Sequence, residues 1–218
     1  MKVIINWTYF LNKTGTASFR SDWLEAEAAL LIVNDLEKTG RLKDVEFEDE
    51  VGTIWTKKEL TKLLIKVEDE PQNVTVFFDG GYRKDEGLSG IGVAIYYEQN
   101  HTAWRIRKNA RLQQLESNNE AEYAAFYEAL KELDALGVHH QSCIFKGDSL
   151  VVLNQLSGEW PCYEEPLNRW LDRIEEKLEK LSIRPVYEPI SRKENQEADG
   201  LATQALNGEK ISSKIQLK

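Results

Sequence analysis

Hydrophobic positions change their spacing along the chain, and the change divides it into two parts. In residues 1–70 an apolar-rich run from Lys2 to Phe10 predicts a strand. SDWLEAEAALLIVNDLEKTG then has helical periodicity, with Asp22 and Glu25 at capping-box spacing and Gly40 as a stop. VEFEDEVGTIWT partly alternates around a charged turn with Gly52, which predicts a hairpin. TKKELTKLLIKV predicts a second helix, opened by Thr56 with Glu59 three residues on. These elements describe a small α+β unit of β-α-β-β-α order, in which no residue pattern carries recognisable chemistry. EDEPQN, residues 68–73, is the expected linker.

From Val74 the pattern lengthens. VTVFF is apolar on both faces, as in a strand buried mid-sheet, and Asp79 is expected at its end. SGIGVAIYYE and HTAWRIRKNARL complete a three-strand meander. SNNEAEYAAFYEALKELDALG predicts a helix by its Ser117–Glu120 capping box, its stripe of Tyr123, Phe126, Tyr127, Leu130 and Leu133, and its stop at Gly137. SCIFKGD is a short strand ending in Asp148, and SLVVLNQL continues as a helix. EEPLNRWLDRIEEKLEKLS is amphipathic, with Leu167, Trp170, Leu171, Ile174, Leu178 and Leu181 at helical spacing. RPVYEPI and NQEADGLATQAL supply a last strand and a last helix, and residues 209–218 are left as a tail. A meander followed by strand–helix alternation implies an α/β fold with a mixed sheet covered by helices.

Composition narrows the function classes. At 218 residues, 41% hydrophobic and 30% charged, the chain suits a soluble globular protein with one medium domain and one small one. No apolar run reaches the length of a membrane span, and the N-terminus does not read as a secretory signal, so a cytoplasmic location is the expectation. Cys143 and Cys162 are too few for a disulfide framework, and neither they nor His101, His139 and His140 have metal-ligand spacing. The net charge of −9 argues against nucleic-acid binding by bulk electrostatics, yet leaves room for a protein that recruits divalent cations through clustered carboxylates.

Four acidic residues stand where solvation is not assured, and each has two readings. Asp79 with Gly80 and Gly81 reads as a turn, or as a carboxylate carried to the end of a central strand. Asp148 reads as a helix cap or as a second strand-end carboxylate. Glu122, in a row with Ala125 and Ala129, is a surface acid or points toward the sheet. Asp199, beside Ala198, Leu201 and Ala202, favours a helix N-terminus or joins the others.

Four segments in order, FFDGG at 77–81, SNNEAEY at 117–123, GDS at 147–149 and RKENQEADGLA at 192–202, resemble the type 1 ribonuclease H family over residues 73–208. The resemblance implies a ribonuclease H-like mixed five-stranded sheet flanked by helices. It further implies that Asp79, Glu122, Asp148 and Asp199 are catalytic carboxylates holding two Mg2+ ions, with Mn2+ as a substitute. Asp79 would bridge the ions, Asp199 would serve the one that activates water, and Glu122 and Asp148 the one facing the leaving group. Gly80, Gly81, Asn118, Asn119 and Arg192 would bind substrate: the glycines by leaving room for a nucleic-acid backbone, the asparagines in a shallow minor groove, and Arg192 at a phosphate. Helix capping for the asparagines and a solvated loop cation for Arg192 are the alternatives from the residues alone.

The implied function is an endonuclease that hydrolyses the RNA strand of RNA/DNA hybrids by two-metal-ion catalysis, with no membrane partner. Two metals about 4 Å apart activate a water and stabilise the leaving 3′-oxygen, and Mg2+ prefers such hard carboxylate ligands. The chain departs from the family pattern in three places. No His occurs in Pro189 to Glu194, and Pro161, Cys162, Glu164 and Glu165 occupy a segment where relatives often carry lysines. Residues 1–70 do not resemble the family's hybrid-binding domain. The acidic charge and the missing lysines favour the alternative, a catalytically weak nucleic-acid-binding or regulatory protein retaining the fold.

Overall fold

The computed structural model describes residues 1–11 and 15–217, which fall into two compact units, Met1–Asp69 and Glu70–Lys218. Residue 218 of the expected tail lies outside the described residues. Among the described residues no helix is long and apolar enough to cross a membrane.

In the first unit β1 (Lys2–Leu11) pairs antiparallel with β2 (Gly15–Arg20), β3 (Leu24–Glu25) and β4 (Leu42–Asp49), and β4 pairs with β5 (Ile54–Trp55). Helices α1 (Ala26–Lys38) and α2 (Lys57–Asp69) complete a core of Val3, Ile5, Ala29, Val33, Phe47 and Leu60. The Thr56–Glu59 capping box forms in both directions, at 2.9 and 3.3 Å. The expected box at Asp22 and Glu25 does not form. Leu24 and Glu25 are drawn into pairing with Val3 and Lys2, so α1 starts only at Ala26, whose N–H donates to the Met1 carbonyl. The β4–β5 turn closes on Asp49, which accepts from the Val51 and Thr53 amides and the Trp55 indole. β2 is exposed along its whole length and has no apolar alternation to announce it. The expected linker is also shorter than 68–73, since α2 continues through Asp69 and the next strand opens at Gln72.

The second unit opens with the meander β6 (Gln72–Arg83), β7 (Leu88–Gln99) and β8 (Thr102–Gln113). Then follow α3 (Asn118–Leu136), β9 (Ser142–Gly147), α4 (Leu150–Leu156), α5 (Glu165–Leu181), β10 (Arg184–Pro189), α6 (Gln196–Leu206) and β11 (Ser212–Gln216). The sheet order is β10-β9-β6-β7-β8-β11, with β6, β9 and β10 parallel. The five expected strands are β6 to β10. A sixth, β11, is added antiparallel to β8 by residues 212–216, where Lys214 lies over the Tyr97 and Trp104 rings at 5.5 and 5.1 Å.

Side-chain alternation sends Val74, Val76 and Phe78 into the main core with Phe126, Leu130, Phe145 and Ile174. Ser117 caps α3 through the Glu120 amide and Gly137 ends it at φ 81°. α6 crosses the other face of the sheet over Gly90 and Gly92, where an added Cβ would lie 2.2 Å from the Ala202 and Ala198 carbonyl oxygens respectively. Asp79 does not end its strand. β6 continues to Arg83 with Gly80 and Gly81 paired to Ile91 and Gly90, and the chain turns later, near Gly87 at φ 60°. What ends near Asp79 is the parallel pairing with β9, whose last pair is Phe77 with Lys146.

Candidate active site

The pairing of β6 with β9 brings Asp79 toward Asp148, which directly follows Gly147 at the end of β9. Asp148 does not cap α4; Ser149 does, accepting from the Val152 amide. The third carboxylate comes from α3, in the turn after its start. Gly80 lets that helix approach: a Cβ there would stand 2.2 Å from the Ala121 carbonyl carbon and 2.3 Å from the Glu122 nitrogen. Carboxylate oxygens of Asp79, Glu122 and Asp148 consequently lie within 4.8 Å of one another.

Such crowding in a poorly hydrated place disfavours ionisation. Glu122 is 4% exposed, and its carboxyl is pushed up to about 9, by burial first and then by Asp79 and Asp148, against an opposing backbone hydrogen bond from Gly80. Asp79, 8% exposed, is pushed up to about 7 by burial, with Asp148 and Asp199 adding to it and Arg192 opposing. Glu122 Oε2 is buried without a hydrogen-bond partner. A buried acceptor of this kind is costly unless something cationic or protic meets it.

Asp199, in the first turn of α6, lines the same open cleft of about 300 Å³ but stands outside the group of three. Its Oδ1 accepts from the Arg192 guanidinium at 2.9 Å, and Arg192 is largely exposed. Gly80, Gly81, Asn118 and Arg192 also line the cleft, whereas Asn119 does not. The space left by the missing Gly80 side chain is filled by α3, so this glycine serves the approach of a helix.

Ala202 lines the cleft beside Asp199, and Tyr82, Thr203 and Leu206 complete the lining with no sequence signal. The most informative residue not singled out is Asn195. It is fully buried, and its Nδ2 donates to the Phe78 carbonyl and to Asp148 Oδ1, both at 3.0 Å. It lies within RKENQEADGLA, but nothing local shows that it reaches two strands.

An all-carboxylate donor set with one unpartnered buried oxygen fits a hard divalent cation, whose charge would relieve the repulsion that raises Asp79 and Glu122.

The sequence matches the reverse transcriptase-like family over residues 77–205. Uncharacterized protein YpeP of Bacillus subtilis (strain 168) is 50% identical over 205 residues, covering 94% of this chain and 90% of its own, so that similarity runs through both units. Two solved structures share the fold. Ribonuclease H1 from the halophilic archaeon Halobacterium salinarum NRC-1 is 26% identical with a TM-score of 0.54, covering 62% of this chain and 98% of its own. LC11 ribonuclease H1, isolated from compost by a metagenomic approach, is 26% identical with a TM-score of 0.55, covering 63% and 97%. The second unit thus has the ribonuclease H fold.

Proposed function

The chain belongs to the reverse transcriptase-like family, and from that premise we propose that it is a divalent-metal-dependent endonuclease acting on the RNA strand of RNA/DNA hybrids. The observation that carries this reading is the convergence of Asp79, Glu122 and Asp148 oxygens within 4.8 Å, with one Glu122 oxygen buried and unpartnered. A protein that used these acids only for packing would gain by replacing them with apolar residues.

In this reading Asp79, Glu122, Asp148 and Asp199 hold two Mg2+ ions. Bound Mg2+ supplies a more acidic water and stabilisation of the leaving 3′-oxygen. The chain's own residues do the rest. Asn118, at the start of α3 and lining the cleft, offers an amide to the minor groove of the hybrid. Arg192 neutralises Asp199 while no metal competes, and its exposure leaves it free to turn to a substrate phosphate. The α3 helix holds Glu122 against β6 through Gly80, so that the carboxylate does not retreat into solvent.

The test is incubation of the full chain with a labelled RNA/DNA hybrid, duplex RNA and duplex DNA, in Mg2+, Mn2+ or chelator. Cleavage of the hybrid's RNA strand with 5′-phosphate and 3′-hydroxyl ends, lost in chelator, is expected. Cyclic 2′,3′-phosphate ends or undiminished cleavage in chelator would remove the metal mechanism. Hybrid binding without cleavage in either metal would support the non-catalytic alternative.

A further inference from the structure

Asn195 does more than fill the core. Its side-chain NH2 is shared between the Phe78 carbonyl, the peptide immediately before Asp79, and Asp148 Oδ1. Its own carbonyl accepts the Asp199 amide at 3.0 Å, and its amide donates to Ser191 and Arg192, which fixes the loop that carries Arg192. One residue therefore ties together the segments bearing three of the four carboxylates. The two acceptors fix the orientation of the amide, because only its NH2 face has donors to give. That orientation leaves Asn195 Oδ1 buried without a partner. Both amide protons go to the site side while the carbonyl is left unmet, a poor arrangement for stability and a good one for aiming Asp148.

We propose that Asn195 is a positioning residue that holds Asp148 in register with Asp79 and Asp199, and so sets the affinity of the metal site; this rests on the nuclease reading above. Groups that orient metal ligands from behind typically change affinity or activity by about 10–100-fold when removed.

The test is calorimetric titration of the full chain with Mg2+ alone, for the wild type, Asn195→Ala and Asn195→Ser. Ser is a favoured helix-starting residue that keeps the start of α6 but is too short to reach both acceptors. The expected result is folded variants, by circular dichroism, that bind Mg2+ about tenfold or more weakly than wild type. Hybrid cleavage should be partly restored by raising Mg2+, a rescue that a purely structural role would not give. Mg2+ affinity within twofold of wild type, whatever the melting temperature, overturns the inference and leaves the nuclease reading intact. Failure of both variants to fold also overturns it, since Asn195 would then be a folding residue. A wild type that binds no Mg2+ defeats the nuclease reading and this inference with it.

Discussion

Replacing Glu122 with Gln should stabilise the metal-free protein while destroying its use of metal. The unfolded chain ionises this carboxyl near 4.5, whereas the folded protein retains the proton to about 9. A group whose pKa is raised by folding gives its full contribution below the unfolded value and loses it as pH climbs toward the folded one. At pH 7 the folded state must therefore keep a proton that the unfolded chain has already released, a cost of roughly 3 kcal/mol at about 1.4 kcal/mol per pH unit above 4.5. Gln has no proton to lose and almost the same shape as the neutral acid, so the variant avoids this cost. In chelator its melting temperature should exceed wild type by roughly 6–12 °C at pH 7, by more at pH 9, and by little near pH 4.5. In Mg2+ the order should narrow or reverse, because wild type gains binding energy that the neutral amide of Glu122→Gln cannot supply. The assay is thermal unfolding followed by near-UV circular dichroism at three pH values with chelator or Mg2+. A gap between the two proteins that stays flat from pH 4.5 to 9 in chelator would refute the account of the crowded acids.

Asp148→Asn should leave α4 and the fold intact, because Ser149 and not Asp148 caps that helix, yet reduce hybrid cleavage by about 100-fold or more; cleavage at the unmutated rate would remove Asp148 from the site. Gly80→Ala should destabilise the second unit by about 3 kcal/mol or more, since the new methyl would collide with α3 backbone, and a denaturant midpoint equal to wild type would contradict that packing. A chain beginning at Gln72 should unfold cooperatively and bind Mg2+ with undiminished affinity, while binding hybrid differently from the full chain; failure to fold would show that the two units share a core.

Local signals were legible where local chemistry decides the outcome. Ser117 with Glu120 and Thr56 with Glu59 satisfy amides within one turn, so the pattern and the hydrogen bonds coincide. Asp22 with Glu25 has the same spacing and fails, because pairing with Lys2 and Val3 takes Leu24 and Glu25 for a strand. β2 and β11 are edge strands exposed throughout, and an edge strand needs no apolar face to be held by backbone pairing. The reach of Asn195 belongs with these, since its partners lie 47 and 117 residues away.

The glycines mark the same limit at the site itself. Asp-Gly-Gly and SGIGVA offer conformational freedom to a reader of sequence, and a turn or a weakened strand is the ordinary inference. In the fold none of Gly80, Gly90 and Gly92 has a positive φ; each is extended and paired. Their use is distance. Gly80 admits α3, which carries Glu122, and Gly90 and Gly92 admit α6, which carries Asp199. A helix held off by a single methyl would move its carboxylate by an amount comparable with the tolerance of a metal site, roughly 0.5 Å. The acids supply the ligands, and the small residues on β6 and β7 decide whether those ligands can meet, which is why substitutions at Gly90 or Gly92 should weaken metal binding without touching a charged group.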